Sequence, residues 1–196
     1  MFHNISSAML ARMHELEARD VIDRQDGTPT EFRLRQILPE TGRFVALMAA
    51  SAPAGQVLEV GASGGYSVMW LGLACRARGD RLVTFDILEN KVAWARETFR
   101  LAQIEDAVEV VHGNALELLP RYKQVAFCFM DLEKDLYGPC YDLVVPNLVP
   151  GGMLLADNAI SHVDEMAEFI ARTQQDPRVD AMVVPVGKGV LFCRKN

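Results

Sequence analysis

Two apolar runs in the second half of the chain each end in an aspartate. Asp131 closes VAFCFM, and Asp157 closes MLLA and is followed at once by Asn158. Two carboxylates and a carboxamide offer hard oxygen donors, a set that suits Mg²⁺, which keeps open positions for water or substrate oxygens. His and Cys are absent from the set, which argues against zinc. Each aspartate has a plainer role available, as the cap of the loop it starts. Two carboxylates buried together without a cation would repel and shift each other's pKa, so that role needs them splayed apart. Lys134 lies three residues past Asp131, in the turn that leaves the same run. Near a divalent cation its ammonium form is disfavoured, and a neutral lysine can act as general base on a hydroxyl. A solvated lysine is the other reading.

The second chemical stretch is QVLEVGASGG, residues 56–65. A short apolar strand meets a glycine-rich turn, and a helix starts at about Tyr66. The helix contributes free N–H groups and a positive dipole end, so the turn can hold a polar or anionic ligand against the main chain. Gly61, Gly64 and Gly65 allow that close approach, which a Cβ would block. A dinucleotide fold wants G-x-G-x-x-G, but Ser63 occupies the middle position here. Glu59 stands two residues before Gly61, and E-x-G-x-x-G-G fits nucleoside–methionine binding better. A strand-to-helix turn without a ligand is the plain alternative.

Asp86 ends the next apolar run, where a carboxylate can accept both hydroxyls of a ribose or cap the following helix. Asn114 follows His112-Gly113. Its amide both donates and accepts, which suits an adenine edge or a helix cap equally.

These residues need a scaffold that brings them to one place. Apolar spacing predicts helices over residues 5–20, 30–37 and 40–52, the first with a methionine-rich stripe that suits packing. Strands are expected at 57–60, 82–86, 108–112, 125–131 and 153–157, alternating with helices at 66–78, 89–102, 115–122, 137–148 and 163–175. Residues 180–186 and 190–194 flank Gly187-Lys188-Gly189 and close the chain as a hairpin. Continuous apolar strands alternating with helices imply a parallel sheet covered on both faces, and the hairpin adds an antiparallel strand. In such sheets ligands bind beyond the strand C-termini. Gly61, Asp86, Gly113-Asn114, Asp131 and Asp157-Asn158 all stand there.

Bulk composition narrows the class. The chain has 196 residues, half of them hydrophobic, which suggests one domain with a sizeable core. A net charge of −6 without a basic run speaks against a nucleic-acid or anionic-membrane surface. The four cysteines are scattered without a C-x-x-C pair, which fits cytoplasmic thiols rather than a disulfide framework. No signal-peptide pattern is expected at the N-terminus, and no apolar stretch approaches the roughly 20 residues of a membrane helix.

With these residues in view, the chain resembles the class I S-adenosylmethionine-dependent O-methyltransferases of the metal-dependent catechol and caffeoyl-CoA type. The matching segments include VLEVGASGGYSVMWLG, VTFDILENKVAWARETF, HGNALELLP and FCFMDLEKDLYGPCYDLVVPNLVPGGMLLADN, in the family's order from about residue 37 onward. The most specific piece is D-x-x-K-D-x-Y followed by L-L-A-D-N. The resemblance implies a Rossmann-like, doubly wound α/β sheet ordered 3-2-1-4-5-7-6 with strand 7 antiparallel and an N-terminal helical extension. It implies that Glu59, Gly61, Ala62, Ser63 and Ser67 surround the methionine part of S-adenosylmethionine. It places Asp86 and Ile87 at the ribose and Gly113, Asn114 and Ala115 near adenine, and counts Asp131 among both the cofactor-binding and the catalytic residues. Asp131, Asp157 and Asn158 match the metal ligands, Lys134 the catalytic lysine.

The chain departs from the family's pattern in four places. Asn114 or Ala115 stands where relatives often carry Asp or Ser, and Arg35 where they often carry Met, close to the substrate entrance. Leu132 replaces a smaller or more polar neighbour of the metal aspartate. Asn158 runs almost directly into Ala159-Ile160-Ser161-His162, where plant relatives carry a longer insertion that shapes the acceptor pocket. The acceptor therefore does not follow from the resemblance, and His162 either lines the freed space or starts a surface helix.

The expected activity is methyl transfer from S-adenosylmethionine to a hydroxyl of a small acceptor, a vicinal diphenol, with Mg²⁺. The alternatives are a metal-free methyltransferase of the same fold, a non-catalytic S-adenosylmethionine-binding protein and, more remotely, a nicotinamide dehydrogenase. The expected organisation is a single domain with a helical lid or dimer segment over residues 1–52, a cofactor-binding core over 53–196, and a homodimer.

Overall fold

The computed structural model describes residues 1–196. Seven strands form one sheet: β1 (Gln56–Val60), β2 (Leu82–Asp86), β3 (Val108–His112), β4 (Val125–Met130), β5 (Leu148–Ala156), β6 (Val179–Val184) and β7 (Val190–Lys195). Their order is β3-β2-β1-β4-β5-β7-β6. The first five strands pair in parallel, and β7 runs antiparallel to both β5 and β6. This is the doubly wound α/β arrangement expected from the alternating pattern.

The helices are α1 (Ser7–Asp23), α2 (Pro39–Ser51), α3 (Tyr66–Arg78), α4 (Glu89–Ala102), α5 (Ala115–Leu118), α6 (Tyr137–Val144) and α7 (Val163–Gln175). They divide the core into two layers, because alternate strand residues face opposite sides. Val57, Phe127, Phe129 and Leu155 pack with α1 to α4. Leu58, Cys128, Met130 and Leu154 pack with α6 and α7. β4 is buried along its whole length, which is why its sequence carries no polar residue before Asp131. All four cysteines are buried and free, and no helix is long and apolar enough to cross a membrane.

Several boundaries differ from the sequence reading. α1 begins at Ser7, where Ser6 as N-cap accepts from the Met9 N–H at 3.2 Å, and continues to Asp23. Its stripe of Met9, Met13 and Leu16 is 1–2% exposed, so that stripe packs within the chain. The helix expected over 30–37 is a single 3₁₀ turn, Thr30–Phe32, followed by an extended strap. The backbone groups of the strap are taken by other elements. Leu34 N–H donates to the Asp23 carboxylate at 2.8 Å, and the Leu34 carbonyl accepts from Ser63 Oγ at 2.6 Å.

β5 starts at Leu148, five residues before the expected 153. Leu148 pairs with Val125, and pairing resumes at Met153 with Phe127, so Pro150-Gly151-Gly152 is accommodated as a bulge within the strand. The helices expected over 115–122 and 137–148 each end in a 3₁₀ turn, Leu119–Arg121 and Val145–Asn147, where prolines 120 and 146 withdraw an N–H.

Candidate active site

The C-terminal ends of the parallel strands open into one cavity of about 580 Å³. Its floor begins at the glycine turn. Gly61 has φ +103°, and a Cβ there would meet the Asp131 carbonyl oxygen at 1.9 Å. That contact places the glycine turn against the end of β4. Gly61, Ala62, Ser63 and Ser67 all line the cavity. Ser63 adopts φ +43°. Its N–H donates to Asp86 Oδ2 at 2.9 Å, and Asp86 Oδ1 accepts from the Leu88 N–H at 3.0 Å. Asp86 therefore braces the turn and caps the approach to α4. A carboxylate has about four acceptor sites, so it retains capacity for further donors.

Asp86, Ile87, Gly113, Asn114 and Ala115 line the adjacent wall. Asn114 caps α5 through Oδ1, which accepts from the Leu116 N–H at 3.0 Å. The cap engages the amide oxygen and leaves the NH₂ group for another partner.

Glu59 does not line the cavity. It sits fully buried behind the turn, with Oε2 accepting from Thr84 Oγ1 at 2.6 Å and Oε1 without a partner. Burial pushes its carboxyl up to about 7.

The acceptor end lies over β4 and β5. Met130 pairs with Ala156, so Asp131 and Asp157 leave adjacent strands at the same level. The ladder continues past both ends: Asp131 N–H donates to the Val60 carbonyl and Asp157 N–H to the Met130 carbonyl, each at 3.0 Å. Asp131 and Asn158 line the cavity, while Asp157 is buried just beneath, 1% exposed. Asn158 Nδ2 donates to Asp131 Oδ1 at 2.9 Å, and Asn158 holds φ +71°. The Tyr137 hydroxyl fixes the Asp157 carbonyl at 3.1 Å.

Both aspartates are pushed above the usual carboxylate range. Burial is the main cause for each, and the Asp131 charge adds to it at Asp157. Asp157 Oδ1 is buried without a hydrogen-bond partner. A pair of adjacent buried carboxylates, one with an orphaned oxygen, fits a hard divalent cation. A half-turn of the Asn158 amide would present its oxygen as the third donor. No three His, Cys, Asp or Glu side chains in the chain are placed to hold a metal ion together, so a centre here would draw on two carboxylates and an amide.

Lys134 Nζ donates to the Leu132 carbonyl at 3.0 Å and stands 5.4 Å from the centre of the Tyr137 ring. Burial lowers its pKa, against the opposing pull of Asp131. Arg35, at φ +50° in the strap, reaches across the mouth to form an ion pair with Glu133. Leu132 and His162 also line this end, and His162 Nδ1 lies 2.9 Å from Ser161 Oγ.

Sequence reasoning missed the strap, with Leu34 over the turn, and six charged cavity residues, Arg24, Glu31, Arg33, Lys91, Glu133 and Lys188. Glu133 and Lys188 were visible beside Asp131 and within the Gly-Lys-Gly turn. Nothing local indicates that their side chains face a cavity.

Comparison with known proteins identifies the family. A family model described as O-methyltransferase matches residues 17–196. The chain is 29% identical to a catechol O-methyltransferase of Mycobacterium tuberculosis over 158 residues, 74% of this chain and 71% of that one. It is 24% identical to a caffeoyl-CoA O-methyltransferase of Mesembryanthemum crystallinum over 181 residues, 80% and 71% of the two chains. A crystal structure of an SAH-bound methyltransferase from Podospora anserina superposes with a TM-score of 0.82 at 21% identity, covering 98% of this chain and 89% of that one, a likeness that speaks for the fold. The glycine turn, the strand ends that share its cavity and the family match over nearly the whole chain lead to one assignment: the chain belongs to the S-adenosylmethionine-dependent O-methyltransferase family.

Proposed function

We propose that the protein methylates a hydroxyl of a small vicinal diphenol, using S-adenosylmethionine and a divalent cation, best Mg²⁺. The observation that carries this reading is the adjacent Asp131–Asp157 pair, Asp131 lining the cavity that the glycine turn opens and Asp157 buried beneath it with an orphaned oxygen. The catechol and caffeoyl-CoA names of relatives support the acceptor class.

S-adenosylmethionine supplies the methyl group as an electrophile on a sulfonium. On this reading Gly61, Ala62, Ser63 and Ser67 form its methionine end, with Glu59 buried behind the turn rather than in contact, Asp86 and Ile87 its ribose contact, and Gly113, Asn114 and Ala115 its adenine wall. Asp131, Asp157 and Asn158 would hold the cation, which supplies the positive charge that stabilises an ionised phenol oxygen. Lys134 accepts the hydroxyl proton; its burial favours the neutral form needed for that role. The acceptor oxygen forms a bond to the methyl carbon as the carbon–sulfur bond breaks, and the electron pair stays on sulfur. The chain's main contribution is to align the two reactants and exclude water. Residues 1–52 act as the cover of the core formed by 53–196, because Leu34 and Arg35 lie in the cavity wall.

A metal-free methyltransferase has one observation in its favour: the charges of Lys134 and Lys188 both reach Asp131 and Asp157. Turnover of a catechol with Mg²⁺ and with chelator separates the readings. Asp157→Ala should lose metal-dependent turnover while still binding S-adenosylhomocysteine. Full activity of that variant in chelator would remove the metal from the mechanism.

A further inference from the structure

Six lysine and arginine side chains line the cavity of a chain whose net charge is −6. Five have a partner within the protein. Arg24 pairs with Asp20, Arg33 donates to the Thr28 carbonyl, Arg35 pairs with Glu133, Lys91 donates to the Arg33 carbonyl, and Lys134 donates to the Leu132 carbonyl. Lys188 is the sixth. It is half-buried, and its ammonium makes no hydrogen bond or ion pair.

The backbone of Lys188 is held firmly in place. Its carbonyl accepts from Ile160 N–H at 3.0 Å and Ser161 N–H at 2.9 Å, and the Gly189 carbonyl accepts from Ala159 N–H at 2.9 Å. Gly189 has φ +84°, and a Cβ there would lie 2.6 Å from the Ile160 nitrogen. The turn between β6 and β7 is thus clipped onto the three residues that follow Asn158. Lys188 is fixed at the acceptor end of the cavity, beside Asn158 and His162.

The charge balance at that end decides what Lys188 meets, and the argument rests on the proposed function. A divalent cation offsets Asp131 and Asp157, Glu133 offsets Arg35, and Lys134 is the proton acceptor. Lys188, whose charge reaches Asp131 and Asp157, is then the one cavity cation with neither a hydrogen bond nor a carboxylate of its own. A half-buried ammonium in that position favours a ligand that supplies a negative charge.

We infer that Lys188 is the anion-recognising residue of the acceptor site and that the acceptor is a diphenol bearing a carboxylate. A singly charged group matches a single unpaired ammonium, whereas a phosphate monoester carries nearly twice that charge.

The test is calorimetric titration of protein loaded with S-adenosylhomocysteine and Mg²⁺. The probes are 3,4-dihydroxybenzoate and 3,4-dihydroxybenzamide, which share the diphenol and the shape but differ in charge. The wild type should bind the benzoate roughly tenfold tighter or more. In Lys188→Met the ratio of the two affinities should collapse to about one, and Lys188→Arg should restore it. Equal affinities in the wild type, with both ligands binding, overturn the inference and leave the diphenol reading intact. A preference that persists in Lys188→Met also overturns it. If neither ligand binds the wild type, the metal-held diphenol fails and this inference fails with it. Intact S-adenosylhomocysteine binding by each variant excludes misfolding as the cause of a lost preference.

Discussion

Gly61 and Asp131 touch through their backbones: the Asp131 carbonyl oxygen stands 1.9 Å from where a Gly61 Cβ would be. The turn proposed for the cofactor and the strand proposed for the cation therefore meet at a single point. Gly61→Ala must displace β4 or strain a φ of +103°. We expect a loss of about 2–4 kcal/mol in stability, a Tm lowered by roughly 5–15 °C, and weakened S-adenosylhomocysteine binding. Thermal unfolding and titration of the same sample would show it, and an unchanged Tm would mean that this contact is not maintained in solution.

Asp157 gives a stability prediction of unusual sign. Its folded-state carboxyl is raised above the ordinary range by burial and by Asp131, so without a cation the folded state loses stability as pH rises through that region. At pH 8 in chelator, Asp157→Asn should be more stable than the wild type by about 2 kcal/mol, or roughly 4–8 °C in Tm. The gain should vanish below about pH 3.8, where the carboxyl is protonated in the folded and the unfolded chain alike. Added Mg²⁺ should raise the Tm of the wild type and have far less effect on the variant.

Lys134→Met should lower kcat by roughly 10²–10⁴-fold if the amine accepts the hydroxyl proton. The affinity for S-adenosylhomocysteine is the control. A modest loss that reflects KM alone would assign Lys134 to packing over the Tyr137 ring instead.

The strap over the glycine turn depends on Asp23, which is 4% exposed and accepts from the Leu34 N–H at 2.8 Å. Asp23→Ala leaves that buried N–H unpaired at a cost of about 1–3 kcal/mol. We expect faster proteolysis within residues 30–37 and weaker S-adenosylhomocysteine binding. Unchanged cleavage would show that Ser63 and Lys91 hold the strap without Asp23.

Glu59 provides a second pH signature. Its carboxyl is raised from about 4.5 to about 7 by burial. The unfolded chain ionises first, so stability is full below the unfolded value and falls between about pH 4.5 and 7, by about 3 kcal/mol at most. Glu59→Gln should flatten that part of the profile, measured as denaturation midpoint against pH.

The sequence by itself determined the architecture and which polar residues stand at the strand ends. The alternation of apolar strands with helices predicted a parallel sheet, and its boundaries are reproduced at α3, α4, α7, β2 and β3. Those signals are local: a buried strand must be apolar along its length, and a polar residue where it stops shows where it meets solvent or ligand. Asp131 and Asp157 were legible as neighbours because one crossover joins their strands.

Only the tertiary structure decided which groups face the cavity and which stand behind it. Glu59 and Asp157 are both carboxylates beside a motif, yet each is buried beneath the cavity wall with one oxygen unpartnered. The strap of residues 33–37 has no periodicity to betray it, because its backbone is satisfied by Asp23 and Ser63 rather than by its own neighbours. Lys188, within a turn of two glycines, shows no local sign of its role. It faces the acceptor end because three backbone hydrogen bonds from residues 159–161 hold the turn there, a long-range contact that no pattern within the turn encodes.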